Sequence, residues 1–168
     1  ITDTEIASFD RIHQGVDWGY FPDPFAFIRL HYDRARETIY LLDEVYGQKL
    51  SNAQSAALVR KKGGVDTRII CDSAEPKSVA DFRALGLPAY EAIKGPGSVD
   101  YGMKFLQHRK LVIDPERTPH AYAEFTGYEY ERNKNGDIIS GYPDANNHLI
   151  DATRYALEPV IRRMGVVA

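Results

Sequence analysis

One cysteine, Cys71, occurs in 168 residues. A lone thiol excludes an internal disulfide and suits a reducing compartment. With only five scattered histidines beside it, it excludes a structural zinc site as well. Cys71 itself reads as a core strand residue. Long apolar runs are missing: no stretch of about 18 such residues occurs, so no membrane span is expected. The opening Ile1-Thr2-Asp3-Thr4-Glu5-Ile6 lacks the basic region and apolar core of a secretory leader, and it lacks an initiator Met. That start suits a domain excised from a longer chain, or a processed one. No Gly-x-x-x-x-Gly-Lys-Ser/Thr is present, which excludes a Walker-type ATP site. No Gly-x-Ser-x-Gly elbow is present either.

Excess positive charge is also missing. The net charge of −3 argues mildly against a dedicated high-affinity DNA binder. Two facts weaken that objection. Acidic metal ligands lower the formal charge, and their ions restore positive potential locally. Basic residues are also grouped, as Arg60-Lys61-Lys62, Arg109-Lys110 and Arg162-Arg163. The ordinary reading of each group is a solvated helix end or loop.

What is present is enough for one domain with a real core, since 43% of residues are apolar. Residues 12–17 read as a strand ending at Asp17. Pro22, Asp23 and Pro24 force a turn. Residues 25–32 and 38–46 read as strands joined by a short polar turn, hence an antiparallel hairpin. Ser51 caps a helix through Lys62. Residues 66–72 form a strand, Pro76 opens a helix to about Leu85, and 88–92 form a short strand. Ser98 caps a helix to about His108, and Leu111-Val112-Ile113 is a further strand. Residues 119–126 read as helix. Asn133-Lys134-Asn135-Gly136 sits between alternating segments and signals a β-hairpin. Asp144 caps a last helix over 145–164. The order predicts an α/β domain, a mixed β-sheet flanked by helices, with an extra β-hairpin before the last helix.

Three carboxylates stand where chemistry is done in such sheets. Asp17 ends the first strand in Gly15-Val16-Asp17-Trp18-Gly19, and ligands bind beyond the carboxyl ends of strands. Gly15 and Gly19 allow close approach of backbone or substrate. Asp72 ends Arg68-Ile69-Ile70-Cys71-Asp72, on a strand expected to neighbour the first. Asp151 lies in the apolar last helix, where an ionised carboxylate must be paired or bind metal. His148 is one turn earlier on the same face, placed to orient the site or handle a proton. Each residue also has an ordinary use. Asp17 suits a turn, Asp72 suits a helix cap, and Asp151 suits an ion pair with Arg154. Glu75 and Glu44 are accessory candidates; Asp43 is a weaker one, and of the neighbours Asp43 and Glu44 one must face the other side of the sheet. The Gly95-Pro96-Gly97-Ser98 loop is open to a phosphate at a helix N-terminus or to ordinary turn chemistry. Candidate DNA contacts are Arg132, Lys134, Lys104, Arg109 and Lys110. Arg132 and Lys134 lie on the hairpin, which reads equally as a flap beside the metal site or as a passive turn.

Two strand-tip carboxylates and a third on a late helix resemble the layout of a ribonuclease H-like metal nuclease. Longer segments sharpen the likeness: Gly15-Val16-Asp17-Trp18-Gly19 with Asp23-Pro24, Cys71-Asp72, Lys94-Gly95 followed by Ser98, and the stretch Glu124 to Tyr130. The most specific element is the ending Asn147-His148-Leu149-Ile150-Asp151-Ala152-Thr153-Arg154-Tyr155-Ala156. Together they resemble the C-terminal nuclease domain of large terminase subunits, the DNA-packaging proteins of tailed bacteriophages. The resemblance implies a ribonuclease H-like fold and a metal-dependent endonuclease that cuts concatemeric viral DNA. It implies that Asp17, Asp72 and Asp151 hold Mg²⁺ or Mn²⁺, as two ions, with His148 beside them. It also implies double-stranded DNA, the ATPase domain of the same protein, the small terminase subunit and the portal as partners, in the cytoplasm of the infected bacterial host. Alternatives are a junction resolvase or transposase of the same superfamily, or a non-catalytic DNA-gripping or motor-docking module.

Overall fold

Phe25 to Asp33 opens with the apolar run Phe25-Ala26-Phe27-Ile28 and is buried at seven of its nine positions, as a strand covered on both faces must be, and it lies in the middle of the sheet. The computed structural model describes residues 1–128, 131–132, 138–140 and 145–164. In chain order these form α1 (Asp3–Ala7), β1 (Ile12–Asp17), β2 (Phe25–Asp33), β3 (Thr38–Gly47) and α2 (Asn52–Lys61). Then come β4 (Ile69–Cys71), α3 (Pro76–Ala84), β5 (Ala89–Glu91), α4 (Ser98–Gln107) and β6 (Lys110–Ile113). The last elements are α5 (Pro119–Gly127), β7 (Glu131–Arg132), β8 (Ile138–Ser140) and α6 (His148–Arg163).

Six strands form one sheet in the order β5-β4-β1-β2-β3-β6, and β7 pairs with β8 in a separate antiparallel ribbon. β2 pairs antiparallel with β1 and β3, while β4, β5 and β6 join by parallel pairing. Within the large sheet β2 therefore runs against all the rest. The carboxyl ends of β1, β4 and β5 lie side by side at one edge. Strand alternation then sorts the side chains. Val16, Phe25, Phe27, Ile69 and Cys71 pack under α2 and α3 with Val79 and Phe82. Ala26, Ile28, Leu30, Ile39 and Leu41 pack under α4, α5 and α6 with Phe105, Ala121, Leu149 and Leu157.

The hairpin, the mixed sheet and the helix order expected from the sequence are all present. The differences are local. α1 was not expected; Thr2 and Glu5 form its capping box. The strand expected over 66–72 is confined to Ile69–Cys71. α4 starts at Ser98, with Gly97 and not Ser98 as its cap. α6 starts at His148 and not at 145, with Asn147 in the N-cap position. Asp144, and Asn133–Gly136 with Lys134, lie outside the described residues.

One close contact sets the position of α6. A Cβ on Gly15 would stand 2.0 Å from the Ala152 carbonyl oxygen and 2.6 Å from the Ala156 nitrogen. With glycine in the strand and alanines in the helix, α6 lies directly on β1. Asp151 is thereby brought to the tip of the strand that carries Asp17.

Candidate metal centre

Asp17 ends β1 and Asp72 directly follows its parallel neighbour β4, and the Asp72 N–H donates to the Val16 carbonyl at 3.0 Å. Alternation turns Asp17 to the Gly15 side of β1, the side that α6 covers. His148, in the first turn of α6, reaches across it. Its Nδ1 lies 3.3 Å from Asp17 Oδ2, and its Nε2 lies 3.7 Å from Asp23 Oδ1. Asp151 accepts from Arg154 Nη2 at 2.9 Å and Nε at 3.2 Å, both on Oδ1. Asp72 Oδ1 accepts from Lys94 Nζ and, at 3.0 Å, from the Ala74 N–H. Trp18 Nε1 donates to the Asp72 carbonyl at 2.9 Å, tying the two strand tips together.

The carboxylates feel one another. Burial lifts the Asp17 carboxyl to about 6; the His148 hydrogen bond opposes this, and the charges of Asp151 and Asp72 add to it. Conversely, the hydrogen bond to Asp17 raises the His148 imidazole against its burial. Burial, more than the neighbouring charges, is what disfavours the ionised form of Asp17. The donor set is oxygen-only carboxylate with an imidazole alongside, which fits a hard divalent ion such as Mg²⁺ or Mn²⁺. Among the described residues, no three His, Cys, Asp or Glu side chains lie together at metal-ligand distances. Each carboxylate is instead engaged by a basic group of the chain itself.

The accessory candidates have other work. Glu44 is buried and accepts from the N–H groups of His120 and Ala121, at 3.2 and 3.0 Å, and lies 2.6 Å from His120 Nδ1. It caps α5, where its charge also complements the helix dipole. Its neighbour Asp43 faces the other way, toward Lys62 at 3.1 Å. Glu75 occupies the N-cap position of α3 and accepts from Ser78. Glu124 has no local signal of a functional role beyond opening one of the stretches that carry the resemblance. It is buried and accepts from the N–H groups of Leu149 and Ile150 at 2.7 and 3.1 Å. It thus caps α6 and fixes the turn that carries His148 and Asp151. Lys94 stands out in the sequence only as part of Lys94-Gly95.

The basic candidates divide. Arg109 donates to the Tyr32 hydroxyl at 3.0 Å, and Lys110 starts β6 opposite Thr38. Both sit at the sheet edge opposite Asp17. A cleft of about 730 Å³ opens there, lined by Asp10, Arg11, His31, Tyr32, Asp33 and Arg34. Lys104 pairs with Asp100 on the surface of α4 at 3.0 Å. Arg132 pairs with Ile138 between β7 and β8. Beside the carboxylates, a cleft of about 330 Å³ is lined by Pro22, Asp23, Tyr46, Gln48, Asn146 and His148.

The Terminase RNAseH like domain family matches residues 17–159. The terminase large subunit of Bacillus phage SPP1 is 46% identical over 169 residues, covering 99% of this chain and 40% of that protein. The chain thus spans about two fifths of the length of this curated relative. Among solved structures, the nuclease domain of the large terminase g2p from bacteriophage SPP1, with bound Mn, superposes with a TM-score of 0.89 at 45% identity. That match covers 95% of this chain and 92% of the other. The P22 large terminase nuclease domain shares the fold, with a TM-score of 0.69 at 21% identity over 92% and 83% of the two chains. The chain belongs to the Terminase RNAseH like domain family.

Proposed function

From that membership we propose that the chain is the metal-dependent endonuclease domain of a phage large terminase, cutting double-stranded DNA during genome packaging. What supports this reading is that Asp17 and Asp72 stand at the tips of neighbouring strands and α6 lays Asp151 against β1, near enough for the charges of Asp151 and Asp72 to act on Asp17. The Mn-bound state of the SPP1 nuclease domain supports a divalent ion here. Asp17, Asp72 and Asp151 would hold Mg²⁺ or Mn²⁺, as two ions. Bound there, the ions supply Lewis acidity and neutralise charge on the attacking and leaving oxygens of the phosphodiester.

The chain's own residues account for the rest. Glu124 fixes the α6 N-terminus, and Arg154 fixes the Asp151 carboxylate. His148 holds Asp17 in one orientation and is placed to accept or deliver a proton at Nε2, on the side facing Asp23. Trp18 keeps the two strand tips in register. In the full protein the ATPase domain, the small terminase subunit and the portal would be its partners, in the cytoplasm of the infected bacterium.

Plasmid cleavage by this chain tests the reading. Nicking and linearisation are expected with Mg²⁺ or Mn²⁺ and none with EDTA. Metal-independent cleavage, or cleavage at the wild-type rate by Asp72→Asn, would overturn it.

A further inference from the structure

Each of the three carboxylates has one basic side chain against it: His148 on Asp17, Lys94 on Asp72 and Arg154 on Asp151. The three partners are held very differently. Arg154 is 9% exposed and places two nitrogens on Asp151. His148 is 16% exposed and belongs to the first turn of α6. Lys94 is 43% exposed and reaches Asp72 from the loop between β5 and α4 on a four-carbon stem. Its ammonium also lies 5.5 Å from the centre of the Tyr155 ring.

We propose that Lys94 is a displaceable counter-ion. Its ammonium neutralises Asp72 in the metal-free site, leaves when a divalent ion takes that carboxylate, and then meets a phosphate of the bound DNA. The inference rests on the metal-nuclease reading above. A metal ion and an ammonium compete for the oxygens of Asp72, and their like charges repel. The dication has the stronger claim on a carboxylate. Arg154 and His148 are walled in, so Lys94 is the partner able to yield. Once released it stays at the mouth of the site, because the Ala92 N–H is bonded to the Cys71 carbonyl at 2.8 Å and anchors the start of the loop. The phosphodiester is the anion that binding brings to that mouth, and lysine meets phosphate as a point charge.

Calorimetric titration of Mn²⁺ into the DNA-free 168-residue chain tests this. Lys94→Ala and Lys94→Gln remove the competitor and should bind Mn²⁺ about tenfold more tightly than wild type. Lys94→Arg, and the remote control Lys62→Ala, should stay within about twofold. In plasmid cleavage at saturating Mn²⁺, the KM of Lys94→Ala for DNA should rise about tenfold, with Lys94→Arg restoring most of it. Equal or weaker Mn²⁺ affinity in a folded Lys94→Ala protein would overturn the proposal, as would an unchanged KM. Failure of the wild type to bind Mn²⁺ would instead overturn the underlying metal reading, so the two failures are told apart.

Discussion

At Asp17, burial and two neighbouring carboxylates hold the carboxyl near 6, while His148 supplies the one compensating hydrogen bond described for it. Asp17→Asn keeps the shape and a polar atom toward His148 but removes the repelling charge. We expect cleavage to fall by roughly 10³-fold or more, as the loss of a metal ligand implies. The melting temperature in EDTA should be unchanged or higher, because relief of buried like charge stabilises the empty site. Wild-type cleavage in this variant would remove Asp17 from the centre. Glu124 is the residue whose role lies wholly in the tertiary structure. Glu124→Ala leaves the N–H groups of Leu149 and Ile150 without their buried acceptor, and should cost on the order of 2 kcal/mol in a urea titration. Mn²⁺ affinity should weaken with it, since His148 and Asp151 ride on that turn.

At the scale of elements, the packing of α6 on β1 decides whether a site exists. Gly15→Val would place a branched side chain where the Ala152 carbonyl lies 2.0 Å from the Cβ position. The helix must move away or the strand must bend. A loss on the order of 3 kcal/mol is expected from such overpacking, read as a lower urea midpoint. Mn²⁺ binding should fall at the same time, because Asp151 and Asp17 separate. A stable Gly15→Val protein that binds Mn²⁺ as wild type does would show that α6 is not positioned by this contact.

Across the whole molecule, the two ends of the sheet answer acid differently. At the end opposite the carboxylates, burial and the charges of Arg163, His31 and Arg11 lower His13 from 6.5 to about 4. Asp10 and Arg34 join His13, Arg11 and Arg163 in lining a cleft there. The unfolded chain binds this proton more readily than the folded one. The stabilisation is therefore complete above pH 6.5 and is lost as pH falls toward about 4. The loss should be on the order of 2 kcal/mol, and His13→Gln should flatten it in urea midpoints compared across that range. DNA binding by the chain should be nearly sequence-independent and strongly salt-dependent, as expected for Lys and Arg contacts to phosphate on a domain of net charge −3. A single sharp cut in a plasmid digest would contradict this.

Strand alternation, Pro76 at a helix start, the Ser51 cap and the apolar run of β2 were legible because each is a local rule with a fixed period or position. The carboxylates were legible for the same reason: Asp17 and Asp72 end apolar runs, and Asp151 interrupts an apolar helix. The long-range pairings were not. No sequence period marks Glu44 as the cap of α5, Glu124 as the cap of α6, or Lys94 as the partner of Asp72. In those pairs the residues are separated by 76, 25 and 22 positions. That Arg109 and Lys110 lie at the end of the sheet opposite Asp17 is set by the parallel pairing of β6 with β3 and has no local signal. Propensity and charge are properties of the chain, so most elements, and the carboxylates at two strand ends and on the last helix, could be read from it. Only the tertiary structure decided which cation faces which carboxylate, because that depends on which loop ends beside which strand.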